Sequence, residues 1–385
     1  MPLSALHDRK KFLAPPPQQP QWQASARGLR VALFCLAALS NAPALAQLRE
    51  ALQTPQAVQT PPMVQASAAG VPKATLHGAA QGRESGGIRQ TALKPLITAA
   101  ELSKQLEQPL LRVLDIRSPQ AYFTAHIPGA LNAPYGNWRG PVSNPGELPS
   151  IEKLTALIQS LGITPAHHIV VTSHGDDPTD FGSAARVYWT LKVLGLERLS
   201  LLNGGMKAWS QAELPTDPGT ASVSKSQFVP SINRSMLAGR EEILSLMGNP
   251  QTKLIDARPA SFFMGETRHG AALQAGTLKG ASNIEHDRWF AEGSARFGSE
   301  QQARSILAAS GIDDKSTVVS FCNTGHWAAT NWFALSEVLG QKQVKLYPGS
   351  MVEWTKQAEA LPMDNVPNRL KALLIDAKLW AEKNL

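Results

Sequence analysis

From about residue 98 onward the chain alternates short apolar runs with stretches of helical periodicity, and it runs through the pattern twice. "LRVLDIRSPQAYFTAHIPGALNAP" (111–134) is echoed by "TKLIDARPASFFMGE" and "AGTLKGASNIEH" (252–266 and 275–286). "HHIVVTSHG" followed by "AARVYWTLKVLGLERLSLLNGGMKAW" (167–175 and 184–209) is echoed by "STVVSFCNTG" followed by "HWAATNWFALSEVLGQKQVKLYPGSMVEW" (316–325 and 326–354). Each copy reads strand, Asp-x-Arg, helix, a turn with Gly-Ala or its counterpart, strand, loop, helix, strand, and a glycine turn ending at tryptophan. Strands alternating with helices over short connections imply an α/β fold, each copy a parallel sheet flanked by helices. Two domains are predicted, 98–217 and 238–362, with a linker over 218–237 and a terminal helix over 363–385.

One stretch in the second copy differs from its partner. Val318, Val319, Ser320 and Phe321 form a strand-like run that leads straight into Cys322. A short Asn-Thr-Gly turn follows, then helical periodicity through Trp327, Asn331, Ala334, Leu335 and Val338. The cysteine is thus predicted where the amides of a helix start converge, a position that suits an anion.

The start of the chain changes how that cysteine is read. Arg27 and Arg30 precede an apolar segment, Val31–Leu39, too short to span a bilayer. Ala44-Leu45-Ala46 then offers small residues for cleavage, so residues 1–46 are expected to be a signal peptide and the mature protein periplasmic. A single uncleaved anchor is the rival reading. Residues 47–97, Ala/Gln/Pro/Gly-rich as far as about Thr91, are expected to be a flexible tether. Of the two cysteines, Cys35 would leave with the signal, and bulky Leu33 and Phe34 before it do not suit a lipoprotein cysteine. Exported chains usually pair their cysteines, so a lone Cys322 is either a buried small hydrophobe or a reactive group. The turn and helix start favour a negative sulfur and hence reactivity.

Composition adds little beyond this. The net charge of +7 falls to +3 once the five basic residues and one acid of the first 46 positions are removed, leaving 32 basic against 29 acidic. No basic run is interleaved with aromatics, so a nucleic-acid partner is not expected.

At the quoted motifs, "LDIRSPQAYFTAHIPGA", "LLNGGMKAW", "LIDARPA" and the cysteine loop, the chain resembles the tandem-domain rhodanese family, the thiosulfate and 3-mercaptopyruvate sulfurtransferases, over Ala99–Pro362. The resemblance implies two rhodanese-like domains, the first without its cysteine and the second catalytic. Aligning "VVTSH" with "VVSFC" puts His174 where Cys322 stands, a degenerate loop residue. The implied chemistry is transfer of sulfane sulfur from thiosulfate or a related donor. The Cys322 thiolate attacks the outer sulfur and becomes a persulfide, which a second nucleophile, a thiol or cyanide, then strips. Asn323, Thr324, Gly325, His326, Trp327 and Ala328 form the expected substrate-binding loop, their amides holding the persulfide sulfur. No metal or cofactor is required. A protein acceptor is the other option for the second step, and no stable membrane span is expected after cleavage.

The loop "CNTGHWA" departs from the family. Thiosulfate-specific relatives carry basic residues directly after the cysteine, and mercaptopyruvate enzymes a Gly/Ser pair with a later hydroxyl residue. Phe262 also stands where relatives place an arginine, and Thr277 where many have histidine. Arg258 and Arg117 are expected to pair with Asp256 and Asp115 as structural groups, with Thr277 and His126 structural as well. His326 is one candidate for the missing cation, an exposed helix-start histidine being the alternative. Trp327 is either a core residue or a substrate wall. A cysteine phosphatase would need an arginine six residues after the cysteine, where this chain has Ala328. A non-catalytic sulfur carrier of the same fold is the competing function.

Overall fold

The computed structural model describes residues 93–384. The expected signal peptide and the expected tether as far as residue 92 lie outside the described residues. The first sheet contains β1 (Leu96–Ile97), β2 (Leu111–Asp115), β3 (Leu131–Asn132), β4 (His168–Thr172) and β5 (Leu199–Leu202). Its order is β1-β5-β4-β2-β3, with every pair parallel. Helices α1 (Ala99–Ser103), α2 (Pro119–Thr124), α3 (Ile151–Ser160), α4 (Pro178–Val193) and α5 (Gly205–Gln211) flank it. Central strand β4, "HIVVT", is buried at every position, as a strand covered on both faces requires. The helices begin where side-chain oxygens can take a first-turn amide: Ser118, Ser150 and Asp177 accept from Ala121, Lys153 and Asp180, and α2 and α4 add proline in the first turn.

The second half repeats the plan with α6 (Arg240–Leu246), β6 (Thr252–Asp256), α7 (Ala260–Phe263), β7 (Thr277–Leu278), β8 (Ser282–Asn283), α8 (Glu300–Ala309), β9 (Thr317–Phe321), α9 (Trp327–Trp332), β10 (Val344–Leu346) and α10 (Ser350–Trp354). The parallel order is β10-β9-β6-β8. Leu237 makes a single parallel bridge to Leu346, in the place that β1 holds in the first sheet.

Three local readings need correction. Leu96 and Ile97, expected at the end of the tether, pair with Leu201 and Leu202 and form the edge strand β1. The terminal helix begins only at Arg369, as α11 (Arg369–Asn384). Met363 and Asp364 form β11, antiparallel to β7, and Pro367 separates strand from helix because its ring disfavours helix at the residue before it. The helix after Cys322 does not keep one period: α9 passes into a π-helical segment, Phe333–Val338, which leaves Phe333, Ala334 and Leu335 all buried.

The halves share one core. Phe181 of α4 meets Phe290, Phe297 and Phe333 at centroid distances of 5.0, 5.8 and 5.7 Å, and Tyr188 meets Phe333 at 5.1 Å. The Tyr188 hydroxyl and the Lys192 ammonium both bond Glu337 across this contact. Packing α4 on α9 brings the first half of the chain against the loop that carries Cys322. No helix among the described residues is long and apolar enough to cross a membrane.

Candidate active site

Cys322 follows β9 directly and is 1% exposed, a free thiol. The loop after it is zipped to α10, the amides of Met351 and Val352 donating to the carbonyls of Cys322 and Asn323 at 3.1 Å each. One side chain that sequence reasoning missed organises the turn. The Ser350 hydroxyl accepts from the amides of Cys322 (3.0 Å) and Gly325 (3.2 Å) and donates to the Tyr347 carbonyl (2.7 Å). Ser350 holds φ +52°, a left-handed conformation that a non-glycine residue adopts only when its surroundings impose it. Its trace in the sequence is the pairing of "PGSMVEW" with "NGGMKAW", where serine replaces glycine at the turn.

With those two amides taken, the amides of Asn323, Thr324, His326, Trp327 and Ala328 have no hydrogen-bond partner among the described residues. The side chains are engaged elsewhere: Asn323 Oδ1 accepts from Arg258 Nη1 (3.4 Å), and Thr324 and Ala328 are buried. The loop therefore offers backbone donors, and an anion beside Cys322 needs no side-chain charge from these residues. Gly325 turns with φ +65°, and a Cβ there would strike Arg186 Nη1 and the Pro348 carbonyl, so only glycine fits.

His326 does not supply a cation. Its Nε2–H donates to the Thr179 carbonyl (2.6 Å) and its Nδ1 accepts from the Tyr135 hydroxyl (2.8 Å), the tautomer that a carbonyl partner requires. Burial, reinforced by the nearby Arg139, His286 and Arg186, pushes its pKa down to about 4, so the ring is neutral near pH 7 and ties the loop to the first domain. Trp327 is half-buried, stacked on His286 at 4.6 Å and meeting Phe262 edge-on at 6.1 Å, with its indole N–H on Thr179 Oγ1. It packs against these neighbours while keeping part of its surface open. Burial also holds His286 below the usual histidine range.

The positive charge comes from the first domain, which sequence reasoning did not foresee. Arg186 of α4 is fully buried, its Nη1 donating to the Gly325 carbonyl (3.1 Å) and its Nη2 to the Gly146 carbonyl (2.7 Å). Burial, with Arg139 nearby, lowers its pKa to about 9, and it remains a cation at neutral pH. The Arg139 guanidinium carbon lies 5.3 Å over the Tyr135 ring, and Arg139 Nη1 is buried with no partner among the described residues. These residues had no motif to mark them, because only domain packing brings them to the cysteine.

The remaining motif residues brace the frame. Arg258 pairs with Asp256 (2.6 Å) and Arg117 with Asp115 (2.6 Å), each guanidinium also donating to a backbone carbonyl, of Gly276 and Ala125. Thr277 Oγ1 donates to Asp256 (2.7 Å), and His126 is buried and stacked on Tyr122 at 3.9 Å. No group of three or more His, Cys, Asp or Glu side chains that could hold a metal ion occurs among the described residues.

A family model described as rhodanese-like domain matches residues 98–212 and again 240–357. A putative thiosulfate sulfurtransferase of Synechococcus elongatus is 27% identical over 278 residues, 70% of this chain and 84% of the relative. The 3-mercaptopyruvate sulfurtransferase of Escherichia coli is 28% identical over 281 residues, 69% of this chain and 96% of its own. A sulfur carrier protein of Thermus thermophilus, TtuD, is 28% identical over 272 residues, covering 67% and 93%. The crystal structure of the 3-mercaptopyruvate sulfotransferase SseA from Escherichia coli superposes with TM-score 0.59 at 24% identity, over 67% of this chain and 98% of that one.

Proposed function

Starting from the membership of this chain in the rhodanese family, with two rhodanese-like domains, we propose that it is a sulfurtransferase working through a Cys322 persulfide. The observation that carries the reading is the buried Cys322 thiol at the head of a loop whose next amides have no partner among the described residues. In the first half-reaction the Cys322 thiolate attacks the sulfane sulfur of the donor. With thiosulfate, the S–S bond breaks and sulfite leaves with the bonding electron pair, while a Cys–S–S⁻ bond forms. The loop amides stabilise the terminal sulfur as charge gathers on it, and being fixed by Ser350 and α10 they need no reorganisation. In the second half-reaction a thiol or cyanide attacks that sulfur and the Cys322 thiolate departs, which predicts ping-pong kinetics. Arg186 and Arg139 are the cations that favour an anionic donor. A unit-charge pair about 4 Å apart is worth roughly 4 kcal/mol at an effective dielectric near 20.

Mass spectrometry of the protein incubated with thiosulfate and then freed of it tests the proposal. Cys322 should be one sulfur heavier, and cyanide should remove that sulfur as thiocyanate. An unmodified Cys322 after incubation with both thiosulfate and 3-mercaptopyruvate would refute the persulfide route. The carrier reading rests on the similarity to TtuD and the burial of Cys322. Repeated turnover with small acceptors argues against it, and a single loaded sulfur released only to a protein argues for it. Export to the periplasm is part of the same proposal, motivated by the apolar segment Val31–Leu39 and the small residues ending at Ala46. Amino-terminal sequencing of protein from the native envelope should read from Gln47, and an intact residue 1 in the cytosol would reject it.

A further inference from the structure

Helix α11 has two apolar faces, and only one is covered. Ile375 is 8% exposed, Ala372 and Leu379 are half-buried, and Asp376 on the same flank is held by Arg268 (2.7 Å), so the helix is already fastened to the second domain. On the other side Leu370, Leu373, Leu374 and Trp380 are 69, 59, 63 and 65% exposed. At about 100° per residue, Leu370, Leu374, Ala377 and Ala381 fall within about 40° of one line along the helix, with Leu373 and Trp380 at its edge. That is an apolar stripe about three turns long, more than the scattered single leucines of an ordinary surface. Met264 and Leu273, 54 and 68% exposed, lie in the same loop as Arg268 and add to the apolar character beside it.

The charges bordering the stripe identify what covers it. Lys371 and Lys378 lie about 80–100° round one side and Arg369 about 100° round the other, with Lys383 beyond. Against these four basic residues the helix has two acids. One, Asp376, is neutralised by Arg268, and the other, Glu382, is 4.0 Å from Lys378. A second copy of this helix would set basic edges against basic edges, whereas an anionic surface complements both. Leucines with a tryptophan at the edge and lysines alongside are the pattern of a helix lying in the plane of a membrane, where the indole sits at headgroup depth and the ammonium groups meet lipid phosphates.

We infer that α11 docks this protein on an anionic lipid bilayer, the stripe Leu370–Leu373–Leu374–Trp380 entering the interface and Arg369, Lys371 and Lys378 binding phosphate groups. The inference is independent of the sulfur chemistry, since none of these residues touches the Cys322 loop. Flotation of the full chain with vesicles of phosphatidylcholine alone or mixed with phosphatidylglycerol tests it. Wild type should float with the mixed vesicles and be released by high salt. Leu373→Glu/Leu374→Glu should weaken partitioning at least about tenfold, as loss of two buried leucines implies. Lys371→Gln/Lys378→Gln should weaken it roughly tenfold on the mixed vesicles and leave the weak binding to neutral vesicles unchanged. Both variants change exposed side chains and should keep wild-type sulfur transfer and thermal midpoint. Equal flotation of wild type and the Leu→Glu variant would overturn the inference. So would a dimer in sedimentation equilibrium that this variant dissociates while wild type ignores the vesicles.

Discussion

The loops after β4 and β9 begin from the same plan, and they differ in what satisfies their amides. In the first domain the Asp180 carboxylate accepts from the amides of His174 (3.3 Å) and Gly175 (2.5 Å). The loop supplies its own anion, and His174 is left exposed. In the second domain no carboxylate among the described residues accepts from the loop amides. A neutral hydroxyl, Ser350, takes two amides, and five more remain for a ligand. The equivalent of Ser350 is Gly205, where a Cβ would lie 2.6 Å from the Ser173 carbonyl and 2.7 Å from the Gly175 amide. The first loop has collapsed onto its own helix and cannot accommodate the serine that keeps the second one open. On the proposed function, the two repeats differ in the anion their loops hold, a fixed carboxylate in the first and a transferable sulfur in the second.

Exchanging the residues at the heads of the two loops breaks this comparison most severely. Cys322→Ser should abolish sulfur transfer with the fold intact, because an alcohol is a far poorer nucleophile of nearly the same size. His174→Cys introduced into the Cys322→Ser protein should restore no turnover, since Asp180 still occupies the amides. Measurable transfer by either variant would remove the basis of the comparison. A smaller but still large effect is expected from Ser350→Ala, which leaves the amides of Cys322 and Gly325 buried and unpaired. The cost is about 1–3 kcal/mol of stability per group, and kcat should fall on the order of 10²-fold as the remaining donors lose their alignment. A thermal melt and steady-state kinetics on the same protein would separate the two losses.

Next in size is Arg186→Met. It should raise the KM for thiosulfate more than it lowers kcat, by about tenfold or more, if this cation serves the donor as well as the Gly325 carbonyl. An unchanged KM would assign Arg186 to loop architecture alone. The smallest effect concerns His326. With a folded pKa of about 4 against 6.5 in the unfolded chain, it is neutral between pH 5.5 and 8, so KM over that range should have the same pH dependence in His326→Asn as in wild type. Stability should respond instead. Between pH 6.5 and 4 the unfolded chain binds the proton that the folded one refuses, so wild type loses stability as pH falls. This histidine accounts for on the order of 1–3 kcal/mol of that loss. Denaturant melts at pH 7 and 4.5 should show a smaller drop in His326→Asn, and equal drops would contradict the neutral, half-buried imidazole.

The sequence by itself determined what local chemistry can encode. Buried strands such as "HIVVT", the caps at Ser118, Ser150 and Asp177, the repeated Asp-x-Arg and the loop "CNTG" all act within a few residues of themselves, so the repeat, the parallel sheets and the position of the thiol were legible. Even there, tertiary pairing overrode composition at Leu96–Ile97 and Met363–Asp364, short strands that exist only because an edge accepts them. The charge and hydrogen bonding around Cys322 were decided by the tertiary structure. Tyr135, Arg139 and Arg186 stand more than a hundred residues before the loop they serve, and no spacing rule connects them to it. Packing α4 on α9 buries Arg186 against the Gly325 carbonyl and closes Thr179 and Tyr135 around His326. The desolvation that keeps that histidine neutral is a property of the assembled interface, and sequence alone made it a candidate cation because an isolated histidine titrates near neutrality.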